Sequence, residues 1–142
     1  MQGKILLVDD EIINRKLLTV LLRAEDFTYT HAGDGEQALE IVAAEQIDLI
    51  ILDIMMPRMD GFQFMAEYSR LYDEPRIPII VSSALSDLKC VERALSLGAA
   101  DYFLKPLEDE VKRFQLPLKV KNLIKMKRLQ QEAVEKQKIQ AV

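Results

Sequence analysis

The chain has 142 residues, which is about the size of one domain. Hydrophobic residues make up 49% and charged residues 30% of the sequence, a composition that is typical of a folded protein and argues against disorder or a fibrous rod. Uninterrupted apolar runs reach only four or five residues, whereas a membrane helix needs roughly 20. No bilayer-spanning segment is therefore expected.

Cysteine and histidine are too scarce to form a metal cluster or a disulfide framework. The single cysteine, Cys90, has no partner within the chain, and His31 is the one histidine. A Cys/His zinc site is thereby excluded, so any bound metal would need oxygen ligands. No secretory signal pattern precedes the first apolar run, which together with the lone cysteine predicts a cytoplasmic protein.

The net charge of -4 is unevenly distributed along the chain. Residues 1–111 carry 10 Lys/Arg and 21 Asp/Glu, whereas residues 112–142 carry 9 and 2. This basic segment is typical either of contact with nucleic acid or a membrane, or of a solvated helix surface, which we favour. Its one aromatic residue, Phe114, gives little support for stacking on bases, so neither nucleic acid nor membrane is a predicted partner.

Five apolar, β-rich runs predict strands at residues 4–8, 28–32, 49–52, 79–82 and 102–104. Four of these are continuously apolar, as strands buried on both faces are, and the more polar second run is typical of an edge strand. The segments between them have helical spacing, with N-terminal cap signals at Asp34 and Asp60. Alternating strands and helices predict an α/β fold, a doubly wound parallel sheet with helices on both faces.

Polar side chains follow four of the predicted strands. Asp9 and Asp10 follow the first, Asp53 the third, Ser83 the fourth and Lys105 the fifth. In an open parallel sheet these carboxyl ends lie along one edge, where ligands bind. Each residue has an ordinary alternative role as a helix cap, a turn residue or a surface lysine. The prediction of a shared site rests on their combination.

The chemistry of such a site follows from the residue types. Three adjacent carboxylates repel one another unless a proton or a divalent cation intervenes. Oxygen ligands without thiolates suit Mg²⁺. A lysine and a hydroxyl beside a cation-bound carboxylate are typical of phosphoryl transfer, with the carboxylate as nucleophile.

Four motifs resemble those of the receiver domain of bacterial two-component response regulators, of the chemotaxis-regulator type. They are residues 7–11 (LVDDE), 49–61 (LIILDIMMPRMDG), 78–84 (PIIVSSA) and 98–106 (GAADYFLKP). The resemblance covers residues 3 to about 107. It implies a flavodoxin-like five-stranded parallel sheet with strand order 2-1-3-4-5, here with an extended C-terminal helix.

The resemblance also implies a role for each matching residue. Asp53 would accept a phosphoryl group from a histidine kinase or a histidine phosphotransfer protein. Mg²⁺ or Mn²⁺ would be held by Asp9, Asp10, Asp53 and the main-chain carbonyl of Met55. The remaining implied roles are phosphoryl binding by Ser83 and Lys105, switching by Ser83 and Tyr102, and a cis peptide bond between Lys105 and Pro106.

The implied function is a phospho-accepting signalling switch in a phosphorelay, not an enzyme acting on other substrates. Phosphorylation would change the surface of the fourth helix, fifth strand and fifth helix, which an output domain, an effector or a second copy of the chain would bind. One alternative is a pseudo-receiver that interacts without phosphate. Another is a haloacid-dehalogenase-type phosphatase, which requires an acid where this chain has Met55.

Two departures from the family pattern lead to further hypotheses. Met55 and Leu85 flank the site at rate-tuning positions and are both apolar, so we expect them to hinder the attacking water and prolong the phosphorylated state. Pro117 predicts a short helical or irregular piece to about residue 115 and a longer helix from about 117 to 135. We therefore predict a receiver domain at residues 1–116 and a basic linker or dimerisation helix at 117–142, in a fragment of a larger regulator.

Overall fold

The computed structural model describes residues 2–140. Five strands alternate with five helices, as the sequence predicts. The strands are β1 (Gln2–Val8), β2 (Asp26–Ala32), β3 (Leu49–Leu52), β4 (Ile79–Ser83) and β5 (Asp101–Leu104). The helices are α1 (Ile12–Leu21), α2 (Gly35–Ala44), α3 (Gly61–Leu71), α4 (Leu88–Ser96) and α5 (Glu110–Gln140).

The strands form one all-parallel sheet in the order β2-β1-β3-β4-β5, which confirms the predicted doubly wound, flavodoxin-like fold. The register aligns the carboxyl ends of the strands. Val8 of β1 pairs with Leu52 of β3, and Leu52 pairs with Val81 of β4. The residues that follow β1 and β3 therefore emerge side by side at one edge of the sheet.

The hydrophobic core consists of two layers, one on each face of the sheet. Successive residues of β1 alternate between them, because side chains of a strand point to opposite faces. Leu6 and Val8 pack with α2 and α3, whereas Ile5 and Leu7 pack with α1 and α5. All four residues of β3 are buried, while β2 lies at the sheet edge, as predicted. The two strands that precede the carboxylates, β1 and β3, are thus buried where they reach the site edge.

Helix α5 contradicts the prediction of an interruption near Pro117. The helix is continuous from Glu110 to Gln140 and contains Pro117 in its interior. A proline there removes one helical hydrogen bond. Leu116, Val120 and Ile124 are nevertheless buried against the sheet on either side of it. This packing outweighs the local preference, since tertiary contacts supply most helical stability. The division of the chain at residue 116 remains a prediction.

Much of the basic segment faces the acidic body of the protein. Lys119 pairs with Asp101 at 3.6 Å, and Lys121 with Glu25 at 3.1 Å. Further along α5, the Arg128 guanidinium donates to the Gln2 carbonyl at 2.7 Å. Part of the charge asymmetry is therefore balanced within the fold. Among residues 2–140, no helix is both long enough and apolar enough to cross a membrane.

Candidate active site

Three carboxylates meet at the carboxyl edge of the sheet. Asp9 and Asp10 follow β1, and Asp53 follows the adjacent strand β3. Their ligating oxygens all lie within 4.8 Å of one another. Asp9 and Asp53 are buried, whereas Asp10 is exposed to solvent. The cluster is therefore open on one side and fixed to the core on the other.

Hydrogen bonds hold the Asp9 carboxylate in one orientation. Its Oδ1 accepts from the Glu11 main-chain N–H at 2.9 Å and from the Asn14 amide at 3.4 Å. Its Oδ2 accepts from the Lys105 ammonium at 2.9 Å. The Arg15 guanidinium also donates to the Asp9 main-chain carbonyl. Sequence patterns gave no reason to assign Asn14 or Arg15 to the site, because both belong to the polar side of an ordinary amphipathic helix.

Lys105 connects the two buried carboxylates. Its Nζ lies 2.9 Å from Asp9 Oδ2 and 3.3 Å from Asp53 Oδ2, and its peptide bond to Pro106 is cis. Burial lowers the pKa of Lys105, but the hydrogen bond to Asp9 and the charges of Asp9 and Asp53 outweigh burial, and the pKa is raised above its ordinary value. The ammonium therefore stays protonated at neutral pH.

The Asp53 carboxyl group is buried beside the Asp9 carboxylate and the Lys105 ammonium. Burial raises the pKa of Asp53, and the nearby Asp9 charge raises it further, while the Lys105 ammonium opposes both. One ammonium does not balance three carboxylates. A hard divalent cation with oxygen ligands fits the donor set and would supply the missing positive charge.

Ser83 and Tyr102 are linked through the loop after β4. Ser83 is fully buried, and its Oγ accepts from the Leu85 main-chain N–H at 3.2 Å. The Tyr102 hydroxyl donates to the Leu85 carbonyl at 2.6 Å. Burial raises the pKa of Tyr102, which keeps this hydroxyl a neutral donor. Leu85 thus forms backbone contacts with both residues.

The loop between β3 and α3 carries Met55, whose side chain is 60% exposed at the surface. Gly61 closes this loop, because its N–H donates to the Ile54 carbonyl at 2.9 Å. Arg58, in the middle of the loop, has a left-handed φ of 63° and contacts Asp34. The sequence did not predict this contact, because the two residues lie on separate elements.

Comparisons with known proteins agree with this architecture. Residues 5–113 match the response regulator receiver domain family. The chain is 37% identical to the sporulation initiation phosphotransferase F of Bacillus subtilis over 84% of this chain and 98% of that protein. It is 38% identical to the transcriptional regulatory protein ZraR of Escherichia coli over 73% of this chain and 23% of that protein.

Solved structures give the same result. The signal receiver domain of a signal transduction histidine kinase from Syntrophus aciditrophicus superposes with a TM-score of 0.75 at 32% identity, covering 87% of this chain and 90% of that one. The chain therefore belongs to the response regulator receiver domain family. It spans less than half the length of the transcriptional regulators that it matches.

Gly61 provides a test of how tightly the β3–α3 loop is packed. An added Cβ would lie 2.5 Å from the Asp53 carbonyl oxygen and 2.8 Å from the Ile54 Cα, both backbone atoms. We expect Gly61→Ala to lower the free energy of unfolding by about 1–3 kcal/mol through overpacking, although helix propensity alone would favour alanine. Urea denaturation measures the change.

Gly33→Ala is the matched control, because the nearest atom to its added Cβ, Gln37 Oε1, is 3.8 Å away. We expect this variant to stay within about 0.5 kcal/mol of wild type. A Gly61→Ala protein as stable as wild type would contradict the tight approach of the loop to the Asp53 backbone.

Proposed function

We propose that Asp53 accepts a phosphoryl group from the phosphohistidine of a histidine kinase or a histidine phosphotransfer protein. The observation that carries this proposal is the pairing of a buried Asp53 carboxylate with the Lys105 ammonium, beside Asp9, at the edge of the sheet where ligands bind. The carboxylate of an aspartate is itself the nucleophile, so the reaction needs no general base. The absence of a histidine among the residues of this site is therefore compatible with the reaction.

In the proposed step, an Asp53 carboxylate oxygen attacks the phosphorus, and a new P–O bond forms as the donor's P–N bond breaks. The leaving imidazole keeps the electron pair of the broken bond and takes up a proton. The Lys105 ammonium lies 3.3 Å from Asp53 Oδ2. It is close enough to donate to the oxygens of the transferring phosphoryl group and to stabilise their negative charge. Hydrolysis of the acyl phosphate by water later restores the carboxylate.

Mg²⁺, or Mn²⁺ in its place, would be held by Asp9, Asp10, Asp53 and the Met55 main-chain carbonyl. When bound, the cation supplies charge neutralisation for the transferring phosphoryl oxygens. Asp9 would present its carboxylate to the cation in a fixed orientation, because the Glu11 N–H already donates to Oδ1. Asp10 is solvent-exposed and would bind on the open side of the site.

In the proposed switch, the backbone of Leu85 transmits a change at Ser83 to Tyr102. Ser83 Oγ would turn to hydrogen-bond the phosphoryl group, which removes its present contact with the Leu85 N–H. The Tyr102 hydroxyl donates a hydrogen bond to the carbonyl of the same Leu85. When Leu85 moves, this hydrogen bond would either break or draw the Tyr102 side chain to a new position. A change at Asp53 would in this way reach the outer surface of β5.

The surface formed by α4, β5 and the start of α5 has apolar side chains available for a partner. Phe114 of α5 is 71% exposed, and Val111 of α5, Leu104 of β5, and Leu88 and Leu95 of α4 are also exposed. We propose that an output domain, an effector or a second copy of the chain binds this α4–β5–α5 surface. Within the predicted linker or dimerisation helix at 117–142, the part of α5 beyond the buried Ile124 would be available for that role.

The phosphodonor is proposed to dock on α1. Ile12 and Ile13 are exposed large apolar residues at the start of this helix, directly after the acidic cluster. A phosphodonor that covers them would bring its phosphohistidine to the open side of Asp53. We propose that this exchange takes place in the cytoplasm and that the chain is part of a larger regulator.

The proposed phosphorylation is tested by the intact mass of the protein after incubation with Mg²⁺ and acetyl phosphate. We expect one added phosphoryl group, lost with a chelator and in Asp53→Asn. Asp26→Asn is the matched control, because Asp26 is an exposed aspartate at the opposite edge of the sheet. Consumption of acetyl phosphate, followed in parallel, distinguishes a short-lived adduct from no reaction. No adduct and no consumption would favour the phosphate-independent pseudo-receiver.

Substitutions at Met55 and Leu85 test the proposed control of lifetime. Met55→Asn and Leu85→Glu replace apolar side chains with groups that can hold a water molecule, so we expect dephosphorylation to become at least about threefold faster. Met55→Leu and Leu85→Met keep the site apolar and serve as controls. The decay of the purified phosphorylated protein is measured after removal of the donor, and unchanged rates would contradict the hypothesis.

A further inference from the structure

An ion pair connects the β3–α3 loop to the start of α2. Arg58 Nε and Nη2 donate to Asp34 Oδ2 at 2.8 and 2.6 Å. The Asp34 carboxylate is buried, whereas the Arg58 side chain is 64% exposed. Asp34 therefore provides a fixed hydrogen-bond acceptor on the body of the protein, and Arg58 of the loop donates to it.

The two oxygens of Asp34 have separate partners. Oδ1 accepts from the Gln37 main-chain N–H at 2.8 Å and caps α2, while Oδ2 is left for Arg58. The cap orients the carboxylate before the loop binds to it. The hydrogen bond from Gln37 and those from Arg58 hold the pKa of Asp34 below its usual value, so the carboxylate is ionised at neutral pH.

The backbone beside Arg58 is fixed at the same place. The Gly35 N–H donates to the Met59 carbonyl at 2.9 Å, and a Cβ on Gly35 would lie 2.7 Å from Met59 Cγ. Arg58 itself holds a left-handed φ of 63°, which a non-glycine residue keeps only when its surroundings enforce it. The ion pair and the Gly35 contact together provide that constraint.

The other end of the loop is held by the sheet. The Asp53 N–H donates to the Val8 carbonyl at 2.9 Å, and the Gly61 N–H donates to the Ile54 carbonyl at 2.9 Å. Only residues 55–57 lie between this anchor and the one at Arg58. The Met55 carbonyl, which the proposed function uses as a cation ligand, belongs to this short span.

We propose that the Asp34–Arg58 ion pair is a positioning device that orients the Met55 carbonyl and thereby sets the affinity of the site for a divalent cation. This inference rests on the proposed function, in which that carbonyl is a ligand. Neither Asp34 nor Arg58 contacts the cation. They act by restricting where residues 55–57 can lie, as groups outside the ligand shell do in metal sites.

A purely electrostatic effect of the ion pair and a positioning effect predict opposite changes in cation affinity when Arg58 is replaced. Arg58 is positively charged, so its removal by charge alone would strengthen the binding of a divalent cation. Asp34 is negatively charged, and its removal by charge alone would weaken binding. Positioning predicts weaker binding in both cases, because either change breaks the same pair. Arg58→Gln is therefore the decisive variant.

The test is calorimetric titration of the protein with Mg²⁺ alone, for wild type, Arg58→Gln, Asp34→Asn and the double variant. An asparagine at position 34 keeps an oxygen for the α2 cap but turns an N–H₂ group toward the arginine. We expect the dissociation constant to rise about 3- to 10-fold in each single variant. The double variant should show no further loss, since both changes remove one interaction.

Arg70→Gln is the matched control, because Arg70 forms an exposed ion pair with Glu67 on α3. We expect its Mg²⁺ affinity to equal that of wild type. Arg58→Lys keeps the charge and one donor, and should restore part of the affinity lost in Arg58→Gln. Thermal unfolding midpoints of the Arg58 variants should stay within about 3 °C of wild type, because the Arg58 side chain is largely exposed and water can reach the Asp34 oxygen that it leaves.

The outcomes of this titration distinguish the positioning role of the ion pair from the proposed cation site. Unchanged or tighter Mg²⁺ binding by Arg58→Gln would overturn the positioning role while leaving the proposed function intact. Weaker binding in only one of the two single variants would also overturn it, since the effect would not belong to the pair. A wild-type protein that binds no Mg²⁺ would instead overturn the proposed cation site itself.

Discussion

The contact between Lys105 and two buried carboxylates is the interaction on which the site depends. Lys105 and Asp9 are 96 positions apart in the chain and meet at 2.9 Å, and the same ammonium lies 3.3 Å from Asp53. Without it, the Asp9 and Asp53 carboxylates would be adjacent buried charges with no ammonium between them, an arrangement that proteins rarely tolerate. The ammonium therefore stabilises the two buried carboxylates, and in the proposed function it would also contact the transferring phosphoryl group.

The parallel sheet makes this contact possible. Because β1, β3 and β5 run in one direction and their ends are in register, residues that follow them emerge at a single edge. The loop after β3 completes the arrangement. It is closed by Gly61 and attached to the α2 turn by Arg58, so the backbone next to Asp53 has little freedom. The burial of the strand ends and the anchoring of the loop act together.

The sequence predicted most of the fold and which polar residues would meet at one edge of the sheet, for physical reasons that also explain its failures. Continuous apolar runs identify buried strands, and the chain direction then determines which polar residues share an edge. Pro117 misled the interpretation of α5, because its local cost is visible in sequence and the packing of Leu116 and Val120 is not. The Asp34–Arg58 pair gives no sequence signal, since an exposed arginine in a loop has many ordinary roles.

We propose that Ser83 responds to a phosphoryl group at Asp53 and that Leu85 transmits this change to Tyr102. Amide NMR spectra of the labelled protein with Mg²⁺, before and after adding beryllium fluoride as a phosphoryl analogue, test this relay. We expect shifts at the ends of β1 and β3 and at Ser83, Leu85, Tyr102 and Lys105, all absent in Asp53→Asn. No shifts in wild type, or shifts confined to the acidic cluster, would contradict it.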